Sequence, residues 1–172
     1  MTTADADIEG GHSPFWNFSL QFYARPRVAP ACLDLQDNAG VDVNVLFYLF
    51  FLAEQGRQLD RSDVARIDAA VLPWRERVVK PLRTLRRDLK NGMAPSDAGA
   101  TAALRTDVKR IELEAEHIEQ QTLERLVAAS TIGRPASSRA AAARANLAAY
   151  GDFLGGMPAG PTKILLEIFE GA

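Results

Sequence analysis

Apolar residues recur along most of this chain in steps of three and four, the spacing that gives a helix one face for a core. Ser13 and Pro14 form an N-cap and a first-turn proline ahead of FWNFSLQFYARP. There Phe15, Phe18 and Phe22 make one stripe, flanked by Trp16, Leu20 and Tyr23. Pro30 opens a short helix, ACLDLQDN, which Gly40 closes. Asp42 then caps VNVLFYLFFLAEQ, a run apolar on nearly all sides, which predicts a central helix over 43–55. Asp60 and Ser62 are rival caps for DVARIDAAVL, with Val64, Ile67 and Val71 at helical spacing. In the next segment, WRERVVKPLRTLRRDLK, the expected stripe is Val78, Leu82, Leu85 and Leu89, and Pro81 should kink or split it.

Asn91-Gly92 ends that pattern, and MAPSDAGA reads as a linker with a cap at Ser96. The longest periodic segment follows, a helix over 97–130 whose stripe is Leu104, Val108, Ile111, Ala115, Ile118 and Thr122. Such a helix is about 50 Å long and must be a spine or protrude. TIGRPASS is a turn, RAAAARANLAAYGDFLG a helix of small side chains suited to close packing, and Gly160-Pro161 opens a last helix, TKILLEIFE. No run alternates as a strand would. The expected fold is all-α: a single domain over 13–172, about seven helices around the central one. Residues 1–12, acidic and polar, read as a disordered tail.

The bulk numbers narrow the function. With 172 residues the chain can bury roughly two thirds of its unfolded surface. A formal charge of -2 offers no global attraction for nucleic acid or anionic lipid. The lone cysteine, Cys32, excludes a disulfide framework and a Cys-rich zinc site. The apolar run Val43 to Ala53 is about half the length of a membrane span, and the N-terminus lacks a signal-peptide pattern, so a cytoplasmic protein is expected.

Charge is strongly segregated. Trp74 to Lys90 holds Arg75, Arg77, Lys80, Arg83, Arg86, Arg87 and Lys90 against only Glu76 and Asp88. Arg75 and Arg86 fall beside the apolar stripe, where a guanidinium needs a carboxylate, a phosphate or carbonyls. Either an anion site or internal ion pairs would satisfy them. Ile111 to Glu124 carries five glutamates and no lysine or arginine, so the two helices are expected to be neighbours. Asp34 and Asp37 share a face of the short helix, as a magnesium–diphosphate site requires, but no second acidic motif faces them. Glu114-x-x-His117 has the spacing of a di-iron ligand pair, yet it occurs once, and no metal site is expected. Asn44, the polar residue inside the apolar run, must bond to a neighbour. Cys32 reads as a small buried hydrophobe. No catalytic constellation, phosphate loop or dinucleotide fingerprint is present, and no cofactor is expected.

The block FWNFSLQFYARPRVAPACLDLQDNAGVDVNVLF, followed by WRERVVKPLRTLRRDLK, resembles a family of small bacterial proteins of unknown function, DUF2390. The family's pattern stands here as Trp16, Phe18, Tyr23, Val28, Cys32 to Asp37, Gly40, Asp42 to Asn44, and Trp74 to Lys90. It carries a glycine after a proline pair where this chain reads Pro26-Arg27. The resemblance covers roughly the first 90 residues and implies a bacterial cytoplasmic protein, with no activity attached.

Two functions are expected from these features. The first is a non-enzymatic helical protein that binds another protein or a second copy of itself, because Phe47, Tyr48, Phe50 and Phe51 add to an aromatic first helix. The alternative is an apolar pocket for a small anionic ligand, enzymatic or not, lined by Asp34, Asp37, Asn44, Arg75, Arg83 and Arg86.

Overall fold

A computed structural model of the chain describes residues 13–90, 97–129 and 132–171. The expected tail over 1–12, the Asn91-Gly92 stop and the Ser96 cap lie outside the described residues. The architecture is all-α, as the periodicity predicts: α1 (Pro14–Tyr23), α2 (Val28–Ala39), α3 (Val43–Glu54), α4 (Arg61–Trp74), α5 (Lys80–Lys90), α6 (Ala98–Ala129), α7 (Arg139–Leu154) and α8 (Ala159–Glu170). Strand among the described residues is limited to a small antiparallel pairing of β1 (Arg57–Gln58) with β2 (Arg134–Pro135). It requires Gly133, at φ 72°, because a Cβ there would stand 2.6 Å from the Gln58 carbonyl oxygen.

The caps explain where most helices begin. Ser13 accepts the N–H of Trp16, and Asp42 accepts those of Asn44 and Val45. Between the rivals Asp60 and Ser62 the aspartate is the cap: its side chain takes two backbone N–H groups and Asp63 reaches back to the Asp60 N–H. At α6 the Asp97 carboxylate accepts from the Ala100 N–H. α2 begins at Val28, two residues before Pro30, and its N-cap is Arg27 in the left-handed region at φ 73°.

α3 is the centre. Phe47, Tyr48 and Phe50 are buried, and Phe51 packs partly buried against the same core. The aromatic surplus is therefore largely internal. Phe22 meets Phe47, Phe50 and Phe169 at ring-centroid distances of 5.4, 5.0 and 6.2 Å, tying α1, α3 and α8 together. Each such ring contributes about 1.5–3 kcal/mol through burial. Ala142, Ala143 and Ala149 on α7 let that helix pack closely on α3, and Asn146, fully buried, bonds to the Leu49 and Arg57 carbonyls and the Leu59 N–H.

The basic segment differs from expectation. α4 and α5 are not separate helices and do not break at Pro81; a π-helical turn, Arg75–Val79, joins them into one rod from Arg61 to Lys90. In an α-helix the Pro81 ring would clash with the Arg77 carbonyl, and the wider π turn immediately before it relieves that contact. The extra residue also shifts the inward face by one position. Val79, not Val78, is buried, and Leu85 is 42% exposed while the side chain of Arg86 turns toward α6 and is 25% exposed. Counting the rod as one element, seven helices stand among the described residues.

α6 is both spine and projection. Its first ten residues, 98–107, bury no side chain, and neither does α5, so the two form an exposed arm. From Val108 onward α6 packs on the body, and its buried face is Val108, Glu112, Ala115, Glu119 and Leu123. The expected stripe is thus displaced: Leu104, Ile111 and Ile118 are exposed, and two glutamates are inside. No helix among the described residues is long and apolar enough to cross a membrane.

Candidate functional site

A cleft of about 280 Å³ opens where α2 ends, α3 begins and the α4–α5 rod crosses α6. Of the residues expected to form a site, Asp37, Asn44, Arg75 and Arg83 line it. Asp34 does not; it accepts a hydrogen bond from Asn38 on the outer face of α2. Arg86 stands behind the wall, clamped by two nitrogens to Glu112.

The floor is a buried polar network. One oxygen of Asp42, Oδ1, caps α3, and the other, Oδ2, accepts from Arg75 Nη1 at 3.0 Å. The same nitrogen of Arg75 donates to Asp68 at 2.7 Å. Burial disfavours the Arg75 charge, but the hydrogen bonds and charges of Asp68 and Asp42 outweigh it and hold the guanidinium firmly protonated. The Asp42 N–H donates to the Tyr150 hydroxyl at 3.1 Å, and burial pushes that phenol well above its ordinary range. Asn44 answers the need foreseen for it: its Nδ2 donates to Glu119 Oε2 at 3.1 Å, and its Oδ1 accepts from Gln120 Nε2 at 2.9 Å.

Glu119 is the group that sequence reading missed. It is 1% exposed, it lines the cleft, and its Oε1 has no donor among the described residues. Burial raises its carboxyl to about 9, and the neighbouring Asp42 charge, within hydrogen-bond reach, pushes the same way. At neutral pH it is a carboxylic acid. A sequence signal was present: Val108, Glu112, Ala115 and Glu119 fall at i, i+4, i+7 and i+11, so the two glutamates share the face of the buried apolar residues.

The walls are basic. Lys80, Arg83, Thr84 and Arg87 project from α5 at helical spacing. Arg83 donates to Glu112 at 3.2 Å and to Glu116 at 2.8 Å, so the basic and acidic helices are neighbours. Burial raises the Glu116 carboxyl, against the pull of Arg83. Lys80 pairs with exposed Glu76 at 2.6 Å, and Arg87 pairs with Asp37 across the mouth, both side chains 48% exposed.

The remaining candidates are structural. His117 stacks on Trp16 with centroids 4.2 Å apart, while Glu114 faces solvent beside Arg110. Cys32 is buried, and desolvation pushes its thiol to about 12, which removes thiolate chemistry at neutral pH. Among the described residues no group of three or more His, Cys, Asp or Glu side chains could hold a metal ion.

No curated protein and no solved structure matches the chain. A model of the family described as protein of unknown function (DUF2390) does match, over residues 14–123. That span runs from α1 into α6 and contains every residue lining the cleft, from Gln36 to Glu119. The match covers well over half of the 172 residues. The chain belongs to the DUF2390 family.

Proposed function

We propose that this protein binds a small organic anion, a carboxylate or a phosphate ester, in the cleft between α2 and α5. Arg75, Lys80, Arg83 and Arg87 line it together with Asp37, Asp42 and a Glu119 whose carboxyl is raised to about 9. This is not an uncompensated positive field, because Asp68, Glu76, Glu112 and Glu116 stand behind the cations. The observation that carries the reading is the kind of pairing at the mouth. Among the described residues Lys80 and Arg87 pair with exposed partners, and exposed pairs are worth about 0–1 kcal/mol. A ligand anion can replace Glu76 and Asp37 at little cost. It would gain charge-assisted bonds to both cations above a floor in which Arg75 already holds Asp42 and Asn44 holds one oxygen of Glu119.

The test is a thermal-shift and calorimetric screen of phosphorylated and carboxylated small molecules on the full chain at constant ionic strength. The ligand found should bind at least tenfold more weakly to the double variant Lys80→Ala, Arg87→Ala, a loss of about 1.4 kcal/mol or more. The unliganded melting temperature should move by no more than a degree or two. Unchanged affinity in that variant would place the ligand elsewhere and end this reading.

Self-association through α6 is a second reading. Leu104, Ile111 and Ile118 recur at seven-residue steps, and all three are exposed on one flank of that helix.

A further inference from the structure

Resting on the cleft reading, we propose that the anion binds only while one proton is held between Asp42 and Glu119, so that ligand uptake and protonation of this pair are linked. The bonds already made by the other oxygens of the two groups leave Glu119 Oε1 as the unpaired atom beside Asp42. Asp42 Oδ1 is occupied by two backbone N–H groups and Oδ2 by Arg75. Glu119 Oε2 is occupied by Asn44, and Glu119 Oε1 has no donor although the Asp42 carboxylate is within hydrogen-bond reach. Two ionised carboxylates cannot donate to one another, whereas a proton on one of them makes it the donor that Glu119 Oε1 and Asp42 lack.

The surrounding charges keep that proton in place. At the head of α3 stand Asp42 and Asn44; Asp68 faces in from α4, Arg75 from the π turn, and Tyr150 from α7. Glu112 and Glu116 lie along α6 itself, and Lys80, Arg83 and Arg87 line the α5 side. Arg75 is the cation bonded to Asp42, and it is already shared with Asp68. A charged Glu119 beside that trio would be buried without a cation of its own, which is strongly disfavoured.

The sign of the linkage follows. A raised carboxyl is neutral below its titration range and charged above it, so the floor becomes more negative as pH rises past about 9. Anion affinity is then flat through neutral pH and declines above, at most tenfold per pH unit. Glu119→Gln keeps an acceptor for Asn44 and gains an amide N–H for Asp42, and it stays neutral at every pH.

Sulfate is the probe, since it does not titrate in this range. Its affinity for the full chain would be measured by calorimetry from pH 6.5 to 10. We expect wild-type affinity to weaken about tenfold between pH 8 and 10 and Glu119→Gln to stay within about twofold of its neutral value. A parallel decline in both proteins would assign the effect to a group other than Glu119 and overturn the proposal while leaving the cleft reading intact. Binding to neither protein at any pH would overturn both. Carboxyl-carbon NMR of wild-type protein gives an independent check: a Glu119 midpoint above pH 8 supports the shared proton, and one below pH 6 refutes it.

Discussion

Arg27 shows how much a single dihedral angle can ask of the residue that occupies it. Its φ of 73° starts α2, in a region where a side chain with a Cβ is strained by about 1–2 kcal/mol. Glycine occupies this conformation freely. Arg27→Gly should therefore stabilise the protein by about 0.5–1 kcal/mol, after allowing for the greater freedom of glycine in the unfolded chain. Urea denaturation would show it as a higher midpoint at unchanged slope; a lower midpoint would mean that the arginine side chain supplies more than the strain costs. Asn44 makes the complementary point. Its place on the most apolar helix required a partner, but the partners lie on α6, some 75 residues away, and only the folded chain supplies them.

At the scale of the element, the π turn decides which side chains of α5 face α6. Helical periodicity carried unbroken from α4 puts Leu85 on the inner face and Arg86 beside it. The turn at Arg75–Val79 adds one residue, and the roles exchange. Arg86, bonded to Glu112, is kept firmly protonated chiefly by that hydrogen bond. Removing it leaves a 7% exposed carboxylate with Arg83 as its remaining cationic partner. Arg86→Leu should destabilise the protein by about 2–3 kcal/mol even though it adds an apolar group, because stranding a buried charge is costly. Leu85→Gln should stay within about 0.5 kcal/mol of wild type. Chemical denaturation of the two variants separates the alternatives, and the opposite ranking would restore the unbroken stripe.

Over the whole molecule, charge segregation decides which helices meet. The basic rod and the acidic half of α6 pair where the arm joins the body, with Trp74 Nε1 donating to the Ala115 carbonyl at 2.9 Å to hold the crossing. Such pairs set partner and register more than they add stability. The apolar stripe left outside, Leu104, Ile111 and Ile118, has the seven-residue step of an interhelical seam. Native mass spectrometry should therefore show a dimer that Ile111→Glu returns to monomer, and the variant should melt at the temperature of wild-type chain diluted until it dissociates. A wild-type chain that stays monomeric at about 100 μM would end this reading.

The sequence by itself determined the helical class, the central position of α3, the caps at Ser13 and Asp42, the pairing of basic with acidic helix, and the family. These rest on local chemistry: apolar spacing, side-chain oxygens at helix starts, and blocks of opposite charge. Tertiary structure alone decided the phase of α5 and α6, since a π turn and a buried glutamate both depart from the rule that periodic apolar residues point inward. It also decided the site. Asp37, Asn44, Arg75 and Arg83 were visible as polar residues near greasy segments, but the group that completes them, Glu119, looked like one more solvated glutamate. Burial against Asp42 made it an acid, and burial is a property of the packed chain.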